Sequence, residues 1–245
     1  MKNKTILITG GSSGIGLATA KKYAKRQANV IIVGKTEDKL INAVNEIGEK
    51  SSYYTVDIAN TESLKKLYKR LKSKGIEIDI LVTSAGLGKF GRAQEVSEQD
   101  YDLVMNTNTK GTFFTVTILK PLIKRGGHVI LISSFLASKY IPLTSVLSAS
   151  KIAVETFTKI FAREFSQDNI KVNAVSPGSI KSNFMAFAKP TEQQQEKLIA
   201  YMPKIPLEKR GEAVQVADAI LYLTGENASY VNGTILSVDG GLSIA

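Results

Sequence analysis

The sequence predicts an α/β fold built on a doubly wound parallel sheet of about seven strands, and two observations carry this prediction. Short runs of Val, Ile and Leu alternate with longer amphipathic stretches along all 245 residues. These apolar runs are nearly continuous, which is typical of strands buried on both faces. Because no linker, repeat or low-complexity tract interrupts the alternation, residues 1–245 are interpreted as a single domain.

The predicted elements follow one another as strand and helix along the chain. The strand candidates are the apolar runs Thr5–Thr9, Val30–Gly34, Tyr53–Val56, Ile80–Ser84, His128–Ser133, Lys171–Val175 and Ile235–Val238. The helix candidates are the amphipathic stretches Gly14–Gln27, Glu37–Gly48, Thr61–Lys74, Glu98–Arg125, Ser148–Gln167, Thr191–Met202 and Ala213–Thr224. This alternation is what predicts helices on both faces of one parallel sheet.

Composition excludes several classes of function. The 43% of apolar residues is enough for a large core and excludes a disordered chain or a coiled coil. The absence of cysteine excludes disulfides, thiolate nucleophiles, zinc fingers and iron–sulfur clusters, and with one histidine no metal site is expected. The N-terminus does not resemble a signal peptide, and no apolar run approaches the roughly 20 residues of a membrane span. A cytoplasmic protein without a membrane partner is therefore expected.

Lysine and arginine number 32 against 22 aspartate and glutamate residues, which gives a net charge of +10. Such a charge suits an anionic partner, namely nucleic acid, a phosphorylated cofactor or an acidic carrier. The basic residues are scattered singly or in pairs, as at Lys21-Lys22, and no nucleic-acid-binding motif accompanies them. A lysine-rich surface and no nucleic-acid partner are therefore predicted.

A glycine-rich turn, TGGSSGIG at residues 9–16, follows the first predicted strand and opens the first predicted helix. Gly10 allows a tight turn, Gly14 lets the backbone approach a pyrophosphate, and Gly16 permits close packing of helix on strand. The N–H groups and the positive dipole end of the helix favour phosphate. The turn therefore predicts a dinucleotide site of the Rossmann type. Its residues are Gly10, Ser12, Ser13, Gly14, Ile15 and Gly16.

The second predicted strand ends at Gly34 and is followed by Lys35. NAD-binding proteins usually place an acidic residue here, where it binds the ribose 2′-hydroxyl. Gly34 occupies that position, and the cation of Lys35 suits a 2′-phosphate, so NADP(H) is the expected cofactor. Two alternatives are that Lys35 is simply a solvated lysine and that Glu37 binds the ribose.

Eight segments match, in register, the motifs of one enzyme family. They are Thr9–Gly16, Asp57, Thr83–Gly86, Asn108–Gly111, Ile132–Ser134, Ser148–Lys151, Pro177–Ser182 and Val238–Gly241. On these residues the chain resembles the short-chain dehydrogenases/reductases, in particular the 3-oxoacyl-carrier-protein reductases, over nearly its whole length. The resemblance implies a nicotinamide cofactor and hydride transfer to or from a carbonyl or conjugated carbonyl compound.

The resemblance also implies roles for individual residues. Ser134 would hydrogen-bond the substrate oxygen, Lys151 would hold the nicotinamide ribose, and Asn108 would order a water in a proton relay. Asn106 is the alternative to Asn108, which is preferred because Gly111 follows it at the family's spacing. The other positions implied in cofactor binding are Asp57, Ile58, Ser84, Ala85, Gly86, Pro177, Gly178, Ile180 and Ser182.

One departure from the family pattern outweighs a lesser one at Thr83 and Ser84, where the family has two asparagines. The family has a tyrosine four residues before the lysine and thirteen after the serine. This tyrosine donates the proton to the reduced carbonyl, and the lysine, here Lys151, would lower its pKa. Both counts end at Leu147 (151 − 4 and 134 + 13). Leucine cannot donate a proton, and general acid catalysis contributes about 10²–10⁴ in rate. Ordinary ketone reduction is therefore expected to be crippled while cofactor binding is kept.

Three explanations of Leu147 remain open. A substitute acid could act, and Tyr140 and Ser148 are the candidates. A different reaction could take its proton elsewhere, since dienoyl-thioester reductases resemble this family, lack tyrosine at this position and use another donor. The chain could instead be an impaired homologue that binds the cofactor as a sensor, scaffold or partner subunit.

The expected substrate is a small molecule or an acyl thioester. Residues 183–209 lie where the family covers its substrate, and they mix apolar and basic side chains: Phe184, Met185, Phe187, Leu198, Tyr201, Met202, Lys189, Lys197 and Lys204. The apolar ones suit a hydrophobic substrate, and the lysines suit phosphopantetheine or an acidic carrier. Glu192–Glu196 is interpreted as the exposed start of a mobile lid.

Subunit association is a further expectation. The helix predicted at Ser148–Gln167 has more apolar positions than one stripe needs. In the family this helix and the one predicted at Glu98–Arg125 form subunit interfaces, which predicts a homodimer or homotetramer. The alternative is that both faces pack only on the sheet.

Overall fold

A seven-stranded parallel sheet forms the centre of the computed structural model, which describes residues 1–182, 184, 188 and 190–245. Its strands are β1 (Thr5–Thr9), β2 (Asn29–Gly34), β3 (Ser51–Thr55), β4 (Ile78–Thr83), β5 (Ile123–Ile132), β6 (Lys171–Pro177) and, last in the chain, β9 (Ile235–Val238). A separate parallel pair joins β7 (Ile180–Lys181) to β8 (Gly211–Glu212). The order across the large sheet is β3, β2, β1, β4, β5, β6, β9. The predicted doubly wound α/β fold is thus confirmed.

Helices connect the strands, as the sequence predicts. They are α1 (Gly14–Lys25), α2 (Glu37–Ile47), α3 (Thr61–Ser73), α4 (Glu98–Val104), α5 (Thr112–Leu119), α6 (Ser145–Glu164), α7 (Glu192–Tyr201) and α8 (Ala213–Leu223). A π-helical segment, Met105–Gly111, joins α4 to α5. Apart from the region around β5, the predicted bounds differ from these by three residues or fewer.

The prediction of one helix over Glu98–Arg125 is wrong. Helix α5 ends at Leu119, and the chain then passes through a 3₁₀ turn that contains Pro121. Proline has no N–H group for a helix interior, which explains the break. Strand β5 already begins at Ile123, where it pairs with Ile78 of β4, so the predicted start of this strand at His128 is also wrong.

The core occupies both faces of the sheet. Ile6 and Ile8 of β1 belong to one apolar cluster and Leu7 belongs to the other, and all three are fully buried. Successive side chains of a strand point to opposite faces, so a continuous apolar run fills two cores at once. The sheet held in this way brings the carboxyl ends of β1, β4, β5 and β6 to one edge.

His128 lies inside β5, near the end opposite to that edge. The residue is buried, and its Nδ1 has no hydrogen-bond partner among the described residues. Burial, with Lys171 and Lys4 adding positive charge, lowers the pKa of His128 to about 4. The imidazole is therefore neutral at pH 7, as suits a residue of the sheet interior.

Candidate active site

A cavity of about 300 Å³ lies at the carboxyl ends of the central strands, where the strand order reverses between β1 and β4. Open α/β sheets bind ligands in the crevice at this point. Thirteen of the sequence-predicted residues line it: Gly10, Ser13, Gly14, Ile15, Ser84, Ala85, Gly86, Ser134, Lys151, Pro177, Gly178, Ile180 and Ser182. Five others lie outside its described wall: Ser12, Gly16, Lys35, Asp57 and Ile58. Asn108 lies behind the wall.

The glycine turn closes one end of the cavity. A Cβ atom on Gly10 would lie 2.7 Å from Ala85 Cα, and one on Gly16 would lie 2.3 Å from the Gly10 carbonyl oxygen. Gly14 has φ +51°, and a Cβ atom there would meet only Ser182, at 3.8 Å. Ser13 precedes α1, but its side chain does not cap the helix. The first N–H groups of α1 thus face a space that a pyrophosphate fits.

Beyond the turn, Lys35 and Asp57 form an exposed ion pair at the ends of β2 and β3. Lys35 Nζ lies 3.1 Å from one Asp57 oxygen, and the other oxygen accepts a hydrogen bond from the Ala59 amide. Ser12 lies beside Gly34, the residue before Lys35, since a Cβ atom on Gly34 would be 3.8 Å from Ser12 Oγ. The adenosine half of a dinucleotide extends toward this side when its pyrophosphate lies on α1.

Asn108 is fully buried in the π-helical segment, and the protein itself satisfies its side chain. Its Nδ2 group donates to the Leu87 carbonyl oxygen (2.8 Å) and to Ser150 Oγ (3.0 Å). Its Oδ1 atom accepts from the Leu87 amide at 2.9 Å. Asn108 therefore ties the loop after β4 to α6, and these bonds favour it over Asn106 as the ordered asparagine. Ile58 packs on the same segment, close to Gly111.

Lys151 and Ser134 line the middle of the cavity. Lys151 is 8% exposed, and its Nζ atom donates a hydrogen bond to the Ile132 carbonyl oxygen over 2.8 Å. Burial lowers the pKa of Lys151 to about 8. Ser134 Oγ accepts a hydrogen bond from the Leu136 amide at 3.2 Å, which leaves its hydroxyl proton available to a ligand. A cation and a hydroxyl donor thus stand at the end of one strand.

Leu147 lies one turn before Lys151 on α6 and is 2% exposed. A Cβ atom on Gly88 would lie 3.1 Å from Leu147 Cδ2 and 2.8 Å from Phe184 Cζ. Leu147 forms an apolar wall of the cavity together with Phe90, Phe135, Leu136, Phe184, Leu198 and Met202. Within the part of the chain that is described, this wall contains no tyrosine.

The two substitute acids that the sequence suggests lie elsewhere. Tyr140 is 82% exposed and belongs to a separate surface groove, which Ser148 and Tyr201 also line. Ser148 Oγ shares a hydrogen bond of 2.9 Å with Thr144 Oγ1. Neither hydroxyl lines the cavity that contains Lys151.

The segment expected to cover the substrate, residues 183–209, lies partly at the cavity and partly at the protein surface. Phe184, Leu198 and Met202 line the cavity, whereas Lys204 forms an exposed ion pair with Glu208. Lys197 is half-buried on α7. Three residues named from the sequence, Met185, Phe187 and Lys189, lie outside the described residues.

Sequence reasoning missed three polar groups of the cavity wall, namely Ser133, Ser179 and Arg210. Ser133 Oγ donates to Glu155 at 2.8 Å. Arg210 donates to Ser179 Oγ at 3.2 Å and to the Ile180 carbonyl oxygen at 2.8 Å. Arg210 reaches the cavity through the pairing of β7 with β8, whose strands of two residues each give no detectable pattern in a sequence.

None of the helices described here combines the length and the apolar character that crossing a membrane requires. The described His, Asp and Glu side chains form no group of three or more that could hold a metal ion.

Comparison with known proteins identifies relatives along the whole chain. A family model described as enoyl-(acyl carrier protein) reductase matches residues 10–243. The chain is 33% identical to the 3-oxoacyl-[acyl-carrier-protein] reductase FabG of Thermotoga maritima, covering 100% of this chain and 99% of the relative. It is 38% identical to the FabG of Rickettsia prowazekii, covering 99% and 98%. The structure of 3-ketoacyl-(acyl-carrier-protein) reductase from Brucella melitensis complexed with NADH superposes with a TM-score of 0.89, at 27% identity over 99% of each chain.

Proposed function

The chain belongs to the short-chain dehydrogenase/reductase family, and from this premise we propose that it is an NADP(H)-dependent oxidoreductase with an atypical active site. Family membership makes it an oxidoreductase of this type. The proposal adds that hydride is transferred to or from a carbonyl or conjugated carbonyl compound without a phenolic acid at position 147. The observation that carries it is the presence of Lys151 and Ser134 in one cavity beside the glycine turn.

The cavity end formed by the glycine turn fits a nicotinamide dinucleotide, which supplies the hydride when it is bound. The Gly14 and Ile15 backbone would hold the pyrophosphate, Lys151 the nicotinamide ribose, and the segment from Pro177 to Ser182 the carboxamide. Asp57 and Ile58 would border the adenine, and Ser84, Ala85 and Gly86 would border the middle of the cofactor. Asn108 would act behind them as a positioning residue.

The preference for NADP(H) rests on Lys35. Its ammonium group follows β2 directly and is exposed, and its partner Asp57 is half-buried, so solvent weakens the ion pair. A 2′-phosphate can therefore recruit Lys35 at little cost. The competing cofactor is NADH, with which the Brucella reductase is complexed. Titration of the purified protein with NADPH and with NADH decides between them, and equal affinities would contradict this part of the proposal.

The substrate proposed is an acyl thioester or another small carbonyl compound with an apolar body. Ser134 has a hydroxyl proton to donate to the substrate oxygen, and the apolar wall beside it can enclose a hydrocarbon chain. The relatives named for carrier-bound substrates support the thioester. Oxidation of NADPH, followed by absorbance with ketones, β-ketoacyl thioesters and enoyl thioesters, tests this and separates carbonyl from double-bond reduction.

A second candidate function is a catalytically impaired homologue that binds the cofactor as a sensor, scaffold or partner subunit. Leu147 favours it, because the apolar side chain lies in the cavity wall one turn from Lys151. Both functions predict cofactor binding, so only turnover separates them. Binding of NADPH with no oxidation by any substrate of the panel would support the second function.

We further propose that residues 1–245 form a single domain that is cytoplasmic and assembles as a homodimer or homotetramer, without a nucleic-acid partner. The strands nearest the two ends, β1 and β9, belong to the same sheet, which supports the single domain. Ile152 and Ile160 on α6 are 41% and 46% exposed, which supports association through this helix. Analytical ultracentrifugation tests it, and a monomer at micromolar concentration would contradict it.

A further inference from the structure

We propose that the ammonium group of Lys151 is the proton donor of this active site, in place of the phenol that the chain lacks. The inference rests on the proposed reduction of a carbonyl compound. In the step, the carbonyl carbon accepts a hydride from a reduced nicotinamide dinucleotide, and the carbonyl oxygen accepts a proton from Lys151 Nζ. The product is the alcohol, and Nζ, left as a neutral amine, regains a proton from solvent.

The first argument is elimination among the groups that line the cavity. Its described side chains with transferable protons are Ser13, Ser84, Ser133, Ser134, Ser179, Ser182, Lys151 and Arg210. An arginine side chain stays protonated at any physiological pH, and a serine hydroxyl is a poor acid at neutral pH. Tyr140 and Ser148 belong to the other groove. Lys151 is the remaining donor in the described wall.

The second argument is the position of Nζ. An ammonium group has three N–H donors, and the described structure engages one of them, with the Ile132 carbonyl oxygen at 2.8 Å. Gly86 lies next to Nζ, since a Cβ atom built on Gly86 would be 3.5 Å from Lys151 Nζ. As a glycine, it has no side chain that would cover the ammonium group. Ser134 comes two residues after Ile132. Ser134 and Lys151 line the same cavity, so a substrate oxygen bound by Ser134 would lie in the space that Nζ faces.

The third argument is the surroundings of Lys151, which make its ammonium group unusually acidic. The apolar side chain of Leu147 stands one turn away, and burial lowers the pKa of Lys151 to about 8. Three charged groups belong to the elements around it. Glu155, one turn further along α6, accepts from Ser133; Arg210 bonds β7 across the cavity; and Lys110 is on the exposed side of the π-helical segment. No carboxylate is bonded to Nζ among the described residues. An acid with a pKa near the working pH is an effective general acid.

The first experiment measures the acidity directly and needs no turnover. Protein labelled with ¹³C and ¹⁵N at lysine is titrated by NMR, free and in complex with NADP⁺, and the Lys151 signal is assigned by its loss in Lys151→Arg. We expect one lysine to titrate about two pH units below the others. Titration of Lys151 together with the bulk lysines, above about pH 10, would overturn the proposal.

The second experiment is a cycle of Lys151→Arg and Leu147→Tyr. Arginine keeps the positive charge but holds its proton, so Lys151→Arg should lower kcat about 10²–10³-fold while NADPH still binds. In protein that also carries Leu147→Tyr, which restores a phenol, the same substitution should cost at least tenfold less. Lys159→Arg, at an exposed position of the same helix, is the matched control and should change nothing.

The outcomes separate this inference from the proposed function. An equal loss in both backgrounds would mean that Lys151 only holds the cofactor, and the inference would fail while the oxidoreductase stands. A natural protein that binds NADPH but turns over no substrate, with activity only after Leu147→Tyr, would overturn both. The inference is supported if the turnover rate of the natural protein falls above about pH 8 and if this fall is absent from the pH profile of Lys151→Arg.

Discussion

The two halves of the cavity are constructed differently. At the cofactor end the surface is backbone, and Gly10 and Gly16 have no room for a side chain. A Cβ atom would lie 2.7 Å from Ala85 Cα on Gly10 and 2.3 Å from the Gly10 carbonyl oxygen on Gly16. At the other end the surface is a set of side chains from distant parts of the chain, among them Phe90, Leu147 and Phe184. Backbone packing tolerates few substitutions, whereas one wall side chain can replace another of similar volume. The fold can therefore keep its cofactor site while the chemistry beside it changes.

The largest effect that we expect comes from a substitution in the side-chain half of the cavity, and it is on kcat. Leu147→Tyr places a phenol in the apolar wall, one turn from Lys151, and a general acid contributes about 10²–10⁴ to a rate. We expect kcat for ketone reduction to rise by up to about 10²-fold, the lower end of this range, because Lys151 already supplies a proton, with NADPH affinity unchanged. Steady-state kinetics on the ketone panel provide the measurement.

Leu147→Phe is the matched control, since it adds the ring without the hydroxyl group. It should leave the rate near that of the natural protein. A similar gain from phenylalanine would mean that cavity shape, and not proton donation, limits the reaction.

The next largest effect is on the glycine turn itself. Gly16→Ala forces a Cβ atom against the Gly10 carbonyl oxygen, and overpacking of this kind costs about 3 kcal/mol or more. We expect lower stability in urea and loss of NADPH binding. Gly91→Ala is the control, because its Cβ atom would meet no described atom closer than 3.7 Å and should shift stability by less than about 0.5 kcal/mol. Equal effects of the two variants would refute the steric argument.

The same contrast explains how much of the molecule the sequence predicts. The strands and the glycine turn depend on local signals, namely continuous apolar runs and glycine spacing, so their positions could be predicted. The break after Leu119 depends on Pro121 and on the pairing of Ile123 with Ile78, a contact across the sheet that no local pattern encodes.

The apolar wall was beyond prediction for a related reason. The sequence marks Leu147 as a departure from a motif, but only packing brings it to Phe184 and Gly88. Likewise, the hydrogen bonds of Asn108 to Leu87 and Ser150 join three separate segments through a π-helical turn. Thr83, which stands where the family has asparagine, is buried with an Oγ1 atom that has no described partner, and only the structure reveals this.

A third prediction separates acid effects on the fold from those on the site. Burial lowers the pKa of His128 to about 4 from 6.5, so below pH 6.5 the unfolded chain takes up a proton that the folded chain refuses. Stability should therefore fall as the pH drops from 6.5 to 4, by about 3 kcal/mol in total from this residue.

Urea unfolding at several pH values measures this loss, with His128→Phe as the reference. His128 is the only histidine in the sequence, so as the pH falls the variant should lose only the part of the stability that depends on carboxylates. Identical pH dependence in both proteins would contradict the neutral, buried imidazole.

The smallest effect concerns the far end of the cofactor half, where the surface is again made of side chains. Lys35→Ala removes the cation beside the end of β2, and we expect NADPH affinity to fall about tenfold, or about 1.4 kcal/mol, with NADH affinity nearly unchanged. Asp57→Asn frees Lys35 from its ion pair at 3.1 Å and should shift the preference slightly toward NADPH. Fluorescence titration with both cofactors measures the ratio, and stability should not change because exposed ion pairs contribute little. If Lys35→Ala lowered the affinities for NADPH and NADH equally, Lys35 would not bind the 2′-phosphate. The choice of cofactor would then depend on backbone geometry in this half of the cavity as well.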